Sequence, residues 1–122
     1  ELGIVIERTE EVKKFTFQMN EQELAATRED CLRCLSLVKT AFEAHQYDLV
    51  VLDEVVDAVN AGMISLQQLT ETVESRPEGV EVVLTGRNPK DPIVELSDYV
   101  TVMTALKHPY QRGVHGRRGI EY

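Results

Sequence analysis

The sequence predicts an α/β fold in which helices flank a mostly parallel β-sheet. Two apolar runs carry this prediction, at residues 47–53 and 80–85, because continuous apolar runs are typical of strands buried on both faces. A long helical stretch precedes the first run, and two shorter helical stretches separate the two runs. Strand, helices and strand in this order are the pattern of a parallel sheet covered by helices. The hydrophobic content of 43% is sufficient for the core of a single domain, residues 1–122.

The segment before the first of these strands predicts one more strand and one long helix. Residues 2–7 form a short apolar run that indicates a strand, and the charged residues 9–14 read as a connector. Asn20 followed by Glu23 is a capping-box pattern, which predicts that a helix begins there. The helix is expected to continue to about His45, because apolar side chains recur at helical spacing. These are Leu24, Cys31, Leu32, Leu35, Val38 and Phe42.

Between the two strands, the sequence predicts two helices. Residues 54–61 predict a short helix that ends at Gly62, because glycine is typical of the C-terminal end of a helix. Ser65 and Gln68 repeat the capping-box pattern, so the next helix is expected to begin there and to end before Pro77.

After the second strand, the pattern becomes less regular. Residues 92–97 predict a short helical turn, and residues 99–104 predict a third strand. Residues 105–122 are rich in Gly and in basic side chains and predict an irregular basic tail. A solvated tail is the simpler interpretation of those basic residues, and a local anion contact is the alternative.

Charge and composition exclude several classes of protein. The net charge of −8 argues against a nucleic-acid partner, since affinity for nucleic acid comes mainly from Lys and Arg that neutralise phosphates. No apolar run approaches the roughly 20 residues that span a bilayer, and the first residues read as a strand rather than a leader, so we expect a cytoplasmic protein without a membrane partner. Cys31 and Cys34 form a C-x-x-C that lies within the long helix. We expect two reduced, packed thiols rather than a redox or zinc site.

Polar residues follow the predicted strands, where parallel sheets bind ligands. Asp53-Glu54 ends an apolar strand and resembles a Walker B motif, in which a carboxylate holds Mg²⁺ beside nucleotide phosphates. The alternative is that Asp53 caps the following helix and that Glu54 favours its first turn.

Two further motifs are candidates for ligand contact. In Thr85-Gly86-Arg87, the glycine allows a ligand to approach the backbone and the arginine offers a fork suited to phosphate; a plain turn with a solvated arginine is the alternative. In Phe15-Thr16-Phe17, the two aromatic rings would share one face of an extended segment and form a platform for a flat ligand. A strand edge packed on the core is the simpler interpretation of this pair.

Taken together, these segments resemble the ATP:corrinoid adenosyltransferases, a family that serves cobalamin synthesis and salvage. The resemblance runs from about residue 15 to residue 122, and the order and spacing of its pieces make it specific. In chain order the pieces are Phe-Thr-Phe at 15–17, DLVVLDE at 48–54, Arg76-Pro77, VVLTGR at 82–87, SDYVTVM at 97–103, Lys107-His108-Pro109, Gly113 and the ending at 119–122.

The resemblance implies a P-loop NTPase-like (RecA-like) fold, of which this chain corresponds to the C-terminal part. The family reaction is attack of Co(I) in a reduced corrinoid on the 5′ carbon of ATP, with triphosphate as the leaving group. ATP and the corrinoid are therefore the implied substrates and Mg²⁺ the implied cofactor. A homodimer and a flavoprotein reductase partner are also implied.

The resemblance assigns roles to matched residues. Glu54 matches the family's Mg²⁺-binding carboxylate, with Asp53 beside it. Phe15 and Phe17 match an aromatic pair that packs on the corrinoid and helps to displace its lower axial ligand. Related enzymes can carry Trp at the second position, so the platform is smaller here. Arg87, with Gly86, corresponds to a phosphate contact.

One family motif has no counterpart in these residues. The family opens with a Gly-rich phosphate loop containing Lys-Thr, and no part of the sequence matches G-x-x-x-x-G-K-[ST]. We therefore expect that this chain by itself does not hold ATP productively and is inactive.

Two other functions remain open from the sequence. Asp53, Thr85 and Lys107 resemble the phospho-acceptor, hydroxyl and lysine of a response-regulator receiver domain. A receiver needs a further strand and helix before the acceptor strand, whereas this chain has one long helix there. The other alternative is a non-catalytic relative that only binds a corrinoid or a partner.

Overall fold

The computed structural model describes residues 3–9 and 16–120. Four helices and two strands form the regular part of this structure. They are α1 (Glu21–Glu43), β1 (Leu49–Leu52), α2 (Val55–Asn60), α3 (Leu66–Glu74), β2 (Glu81–Leu84) and α4 (Asp91–Leu96). Two short 3₁₀ helices, Thr16–Gln18 and Pro109–Arg112, precede α1 and follow α4. No described helix is both long enough and apolar enough to cross a membrane.

The two strands form a parallel pair, as the sequence predicts. Leu49 lies opposite Glu81 and Leu52 opposite Leu84, and the chain crosses from one strand to the other through α2 and α3. Because parallel strands in this register end together, the residues after Leu52 and after Leu84 lie at the same edge of the sheet.

The helices cover one face of this sheet. The core contains residues from all four helices and from the α2–α3 connection, and Leu52 and Leu84 pack against it from the sheet. Its buried members are Leu35, Val55, Val56, Val59, Ile64, Leu69 and Ile93.

The opposite face of the sheet is exposed, so the prediction of strands buried on both faces is wrong for the described residues. Leu49, Val51 and Val83 are 55%, 53% and 43% exposed. The side chains alternate between half-buried and exposed along both strands. A continuous apolar run indicates that a strand can be covered on both sides, but the covering elements must come from elsewhere in the fold.

Two predicted strands are absent from the described structure. Residues 3–9 and 99–104 form no strand, and the apolar side chains Tyr99, Val102 and Met103 are exposed. Both segments have suitable side chains, but a strand exists only where a neighbour pairs with its backbone. Among the described residues, pairing is confined to β1 and β2.

The helix boundaries follow the predicted capping signals closely. The Asn20 side chain accepts a hydrogen bond from the Glu23 N–H at 2.9 Å, and the Glu23 carboxylate accepts from the Asn20 N–H at 2.9 Å. Ser65 and Gln68 make the same reciprocal pair, at 3.0 and 2.8 Å. Both capping boxes are therefore confirmed, and the predicted helical turn near residues 92–97 is present as α4.

Removal of the second capping box provides a test of this local contribution to stability. We expect Ser65→Ala to lower the free energy of unfolding by about 1 kcal/mol, because the Gln68 N–H loses its acceptor. Ser36→Ala is the matched control, since the exposed Ser36 hydroxyl only bonds the Leu32 carbonyl within α1. Urea denaturation of both variants measures the difference; equal midpoints would show that the cap at Ser65 contributes nothing.

Candidate functional site

The candidate site lies at the edge of the sheet where β1 and β2 end. Asp53 and Glu54 follow β1 directly, and Thr85, Gly86 and Arg87 follow β2. The Thr85 hydroxyl donates a hydrogen bond to Asp53 Oδ1 at 2.6 Å. The structure therefore brings together two of the three segments that the sequence placed at this edge. Among the described residues, no hydrogen bond or ion pair joins the third segment, after Thr104, to the acidic pair or to Thr85.

The Thr85 hydroxyl also accepts a hydrogen bond from the Glu54 N–H at 2.8 Å. Thr85 is itself held by its backbone, because its N–H donates to the Leu52 carbonyl and its carbonyl accepts from the Val56 N–H, both at 3.2 Å. The residue thus connects the end of β1, the acidic pair and the start of α2.

The acidic pair does not act as a helix cap. Glu54 occupies the cap position of α2, yet it makes no side-chain capping bond, and the Asp53 carboxylate bonds to Thr85. Glu54 also adopts a left-handed backbone, with φ 55° and ψ 19°, which is uncommon for residues other than glycine. The prediction that Asp53 caps α2 is therefore wrong, whereas an electrostatic effect of Glu54 on the first turn of α2 stays a prediction. A rare conformation at a strand end is more typical of a functional position.

The two carboxylates retain oxygen atoms for a ligand. Both residues are exposed, and among the described residues neither Asp53 Oδ2 nor the Glu54 carboxylate has a hydrogen-bond or ion-pair partner. Carboxylate oxygens are suitable ligands for a hard divalent cation. The described residues contain no cluster of three or more His, Cys, Asp or Glu side chains that could hold a metal. A cation here would therefore complete its coordination with water or with phosphate oxygens, as Mg²⁺ commonly does.

The loop after β2 is fastened to α2 by two side chains that the sequence did not single out. The Asp57 carboxylate accepts a hydrogen bond from the Arg87 N–H at 3.0 Å. The Asn60 side-chain amide donates to the carbonyls of Arg87 and Asn88, at 2.9 and 3.2 Å. Asp57 and Asn60 are three residues apart, so they lie on the same side of a short helix. This spacing could have identified the pair from the sequence.

Gly86 permits this close approach. Its φ is +139°, and a Cβ at this position would lie 2.5 Å from Asp57 Oδ2 and 2.7 Å from Val56 Cβ. A side chain would therefore not fit here, because the backbone approaches α2 of the same chain. The approach of a ligand to this backbone stays a prediction. The Arg87 side chain is exposed, and within the described part of the chain its guanidinium has no hydrogen bond or ion pair. It remains available to an anion.

The aromatic pair is described only in part. Phe15 lies outside the described residues. Phe17 belongs to a 3₁₀ helix that precedes α1 and is 80% exposed, so the predicted extended strand edge is wrong at Thr16 and Phe17.

Two free, half-buried thiols lie within the long helix, as the sequence predicts. Cys31 and Cys34 are free thiols within α1, and burial raises the pKa of both. A raised pKa lowers the thiolate fraction at neutral pH and with it the reactivity of each thiol.

A separate depression of about 510 Å³ lies between α1 and the α2–α3 connection. Arg28, Met63 and Lys90 are among its lining residues, and none of the acidic pair or the Thr-Gly-Arg segment contributes to it. None of the described residues that line it carries a carboxylate for a cation.

Comparison with known proteins identifies the family of the chain. The family described as ATP:corrinoid adenosyltransferase BtuR/CobO/CobP matches residues 1–122. The chain belongs to this family. The resemblance drawn from the sequence is thereby confirmed, and the receiver-domain alternative receives no support.

Several curated adenosyltransferases are related to the chain over part of its length. A corrinoid adenosyltransferase of Sinorhizobium sp. is 36% identical over 75 residues, which are 61% of this chain and 35% of the relative. One from Pseudomonas aeruginosa is 35% identical over 74 residues, 61% of this chain and 36% of the relative. One from Escherichia coli K12 is 33% identical over 75 residues, 62% of this chain and 38% of the relative. The chain spans little more than a third of the length of these adenosyltransferases.

Proposed function

We propose that this chain provides the acidic strand end and the corrinoid-binding aromatic pair of an ATP:corrinoid adenosyltransferase. The reaction is transfer of the 5′-deoxyadenosyl group of ATP to Co(I) of a reduced corrinoid, in cobalamin synthesis or salvage. The main observation in support of this proposal is that hydrogen bonds connect Asp53 and Glu54 to Thr85 at one edge of the sheet, in a chain of this family.

The donor set at this edge fits Mg²⁺, because the free oxygens of Asp53 and Glu54 are hard ligands with no competing cation among the described residues. We assign the ion to these two carboxylates. When bound, Mg²⁺ supplies positive charge beside the triphosphate leaving group.

The remaining roles follow from the side chains of this chain. The exposed guanidinium of Arg87 contacts a phosphate. Asp57 and Asn60 hydrogen-bond to the backbone of Arg87 and so fix the position from which its side chain extends. Gly86 keeps the loop close to α2. Phe15 and Phe17 pack on the corrinoid and exclude its lower axial ligand, which makes the Co(II) precursor easier to reduce. Co(I) is itself strongly nucleophilic, so no general base is assigned.

The phosphate cradle must be supplied by residues other than these 122, because they contain no G-x-x-x-x-G-K-[ST] motif. We infer that the chain forms the C-terminal part of a P-loop NTPase-like, RecA-like fold, with residues 105–122 as a basic tail. A cytoplasmic homodimer that receives electrons from a flavoprotein reductase completes the proposal.

This function predicts a difference between two proteins. We expect the 122-residue chain alone to form no adenosylcobalamin from reduced corrinoid, ATP and Mg²⁺, because the triphosphate lacks its cradle. The same chain preceded by the phosphate-loop segment of an adenosyltransferase relative is expected to be active. Appearance of adenosylcobalamin, followed by absorbance, measures both.

The matched control carries Asp53→Asn and Glu54→Gln in the longer protein and is expected to lose that activity. Robust turnover by the short chain would disprove the requirement for a phosphate loop. A longer protein that folds, binds ATP and still transfers no adenosyl group would disprove the proposed function.

A further inference from the structure

The Thr85 hydroxyl is used in a way that a simple turn does not require. To close the turn, the hydroxyl oxygen would only need to accept the hydrogen bond of the Glu54 N–H, which it does at 2.8 Å. Its single proton is instead directed to Asp53 Oδ1 at 2.6 Å, a short hydrogen bond typical of a charged acceptor. One hydroxyl therefore orients a carboxylate and a backbone amide at once.

We propose that Thr85 is a positioning residue that holds Asp53 and Glu54 in the arrangement that binds a divalent cation. This inference rests on the proposed function, since it concerns the same two carboxylates. Thr85 does not itself bind the ion; it occupies Oδ1 of Asp53, which leaves Oδ2 free for a ligand.

The backbone of Glu54 gives a second reason for this role. A left-handed conformation with φ 55° is sparsely populated by residues other than glycine and persists where neighbouring groups hold it. The Thr85 hydroxyl is one such group, because it accepts a hydrogen bond from the Glu54 N–H. Without it, Glu54 is expected to relax towards a more common conformation and to change the position of its carboxylate relative to Asp53.

Thr85 is well placed for this role because it is itself rigid. Backbone hydrogen bonds to Leu52 and from Val56 fix it on both sides, and it is half-buried. The two carboxylates are exposed and follow directly after a strand. A fixed side chain that hydrogen-bonds a ligating carboxylate is what commonly orients metal ligands.

The test measures binding of Mn²⁺ alone to the 122-residue chain. Free Mn²⁺ is followed by electron paramagnetic resonance, and the bound ion is located by broadening of backbone amide signals in nuclear magnetic resonance. We expect broadening centred on residues 53–57 and 85–87, and about tenfold weaker binding in Thr85→Val, which keeps the shape of the side chain but lacks the hydroxyl. Thr85→Ser keeps the hydroxyl and is expected to retain wild-type affinity.

Thr85→Ala removes the hydroxyl without adding bulk and serves if the valine variant folds poorly. Asp53→Asn and Glu54→Gln define the signal that belongs to the acidic pair. If these two variants weaken binding while Thr85→Val and Thr85→Ala do not, the metal site stands and the positioning role is wrong. If wild-type broadening at residues 53–57 is absent or unaffected by Asp53→Asn and Glu54→Gln, the proposed cation role fails, and the positioning role fails with it.

Discussion

Gly86→Ala is expected to lower the free energy of unfolding by about 4 kcal/mol. Two costs add at this position. A positive φ of 139° is unfavourable for alanine, and the new methyl group would lie 2.5 Å from Asp57 Oδ2 and 2.7 Å from Val56 Cβ. Val56 is a core residue at the start of α2, so the helix must move or the loop after β2 must detach.

Gly79→Ala separates the two costs. Gly79 has a φ of +85°, but a Cβ there would meet no atom within 4 Å. We expect this variant to lose only about 1 kcal/mol, which reflects the backbone conformation alone. Urea denaturation of both variants gives the comparison. Equal losses would show that the loop after β2 adjusts freely and that close contact with α2 is not required.

In the longer, active protein, Glu54→Ala is expected to lower turnover about a hundredfold, equivalent to roughly 3 kcal/mol. Charge develops on the triphosphate as its bond to the 5′ carbon breaks, and Glu54 is proposed to hold the Mg²⁺ that would supply positive charge beside this leaving group. The loss should be similar whether the reaction starts from Co(II) or from chemically prepared Co(I), because both routes share the step. Glu74→Ala, an exposed acid at the end of α3, is the matched control.

Phe15→Ala is expected to impair a different step from Glu54→Ala. Phe15 itself lies outside the described residues. It is proposed to act before the transfer, by excluding the lower axial ligand so that Co(II) can be reduced. Its loss should slow the reaction from Co(II) strongly and largely spare the reaction from preformed Co(I). The ratio of the two rates in each variant is the measurement. Equal slowing of both reactions by Phe15→Ala would reduce this residue to a packing or binding contact.

Features set by neighbours in the chain were predictable from the sequence. The start of α1 depends on Asn20 and Glu23, and the start of α3 on Ser65 and Gln68, in each case groups three residues apart. Helical hydrogen bonds also connect near neighbours, so a short window of sequence contains most of the information. The short helices α2 and α4 were predicted to within a residue or two for the same reason.

The sequence predicted which residues form the candidate site but not which hydrogen bonds join them. The ends of two apolar runs pointed to Asp53, Glu54, Gly86 and Arg87, since parallel strands place their carboxyl ends together. The hydrogen bond between Thr85 and Asp53 depends on the register of β1 against β2, which no local pattern specifies. Asp57 was overlooked because its partner, the Arg87 N–H, is thirty residues away in the chain.

By itself, the sequence determined the helices, their caps, the parallel pair of strands and the family. Only the tertiary structure decided which apolar segments become strands and which face of the sheet is covered. Residues 99–104 have side chains suitable for a strand, yet they pair with no strand among the described residues. Leu49 has a side chain suitable for burial, yet it is exposed. The physical reason is that strand pairing and burial are made by partners distant in the chain, whereas helix caps are made by neighbours.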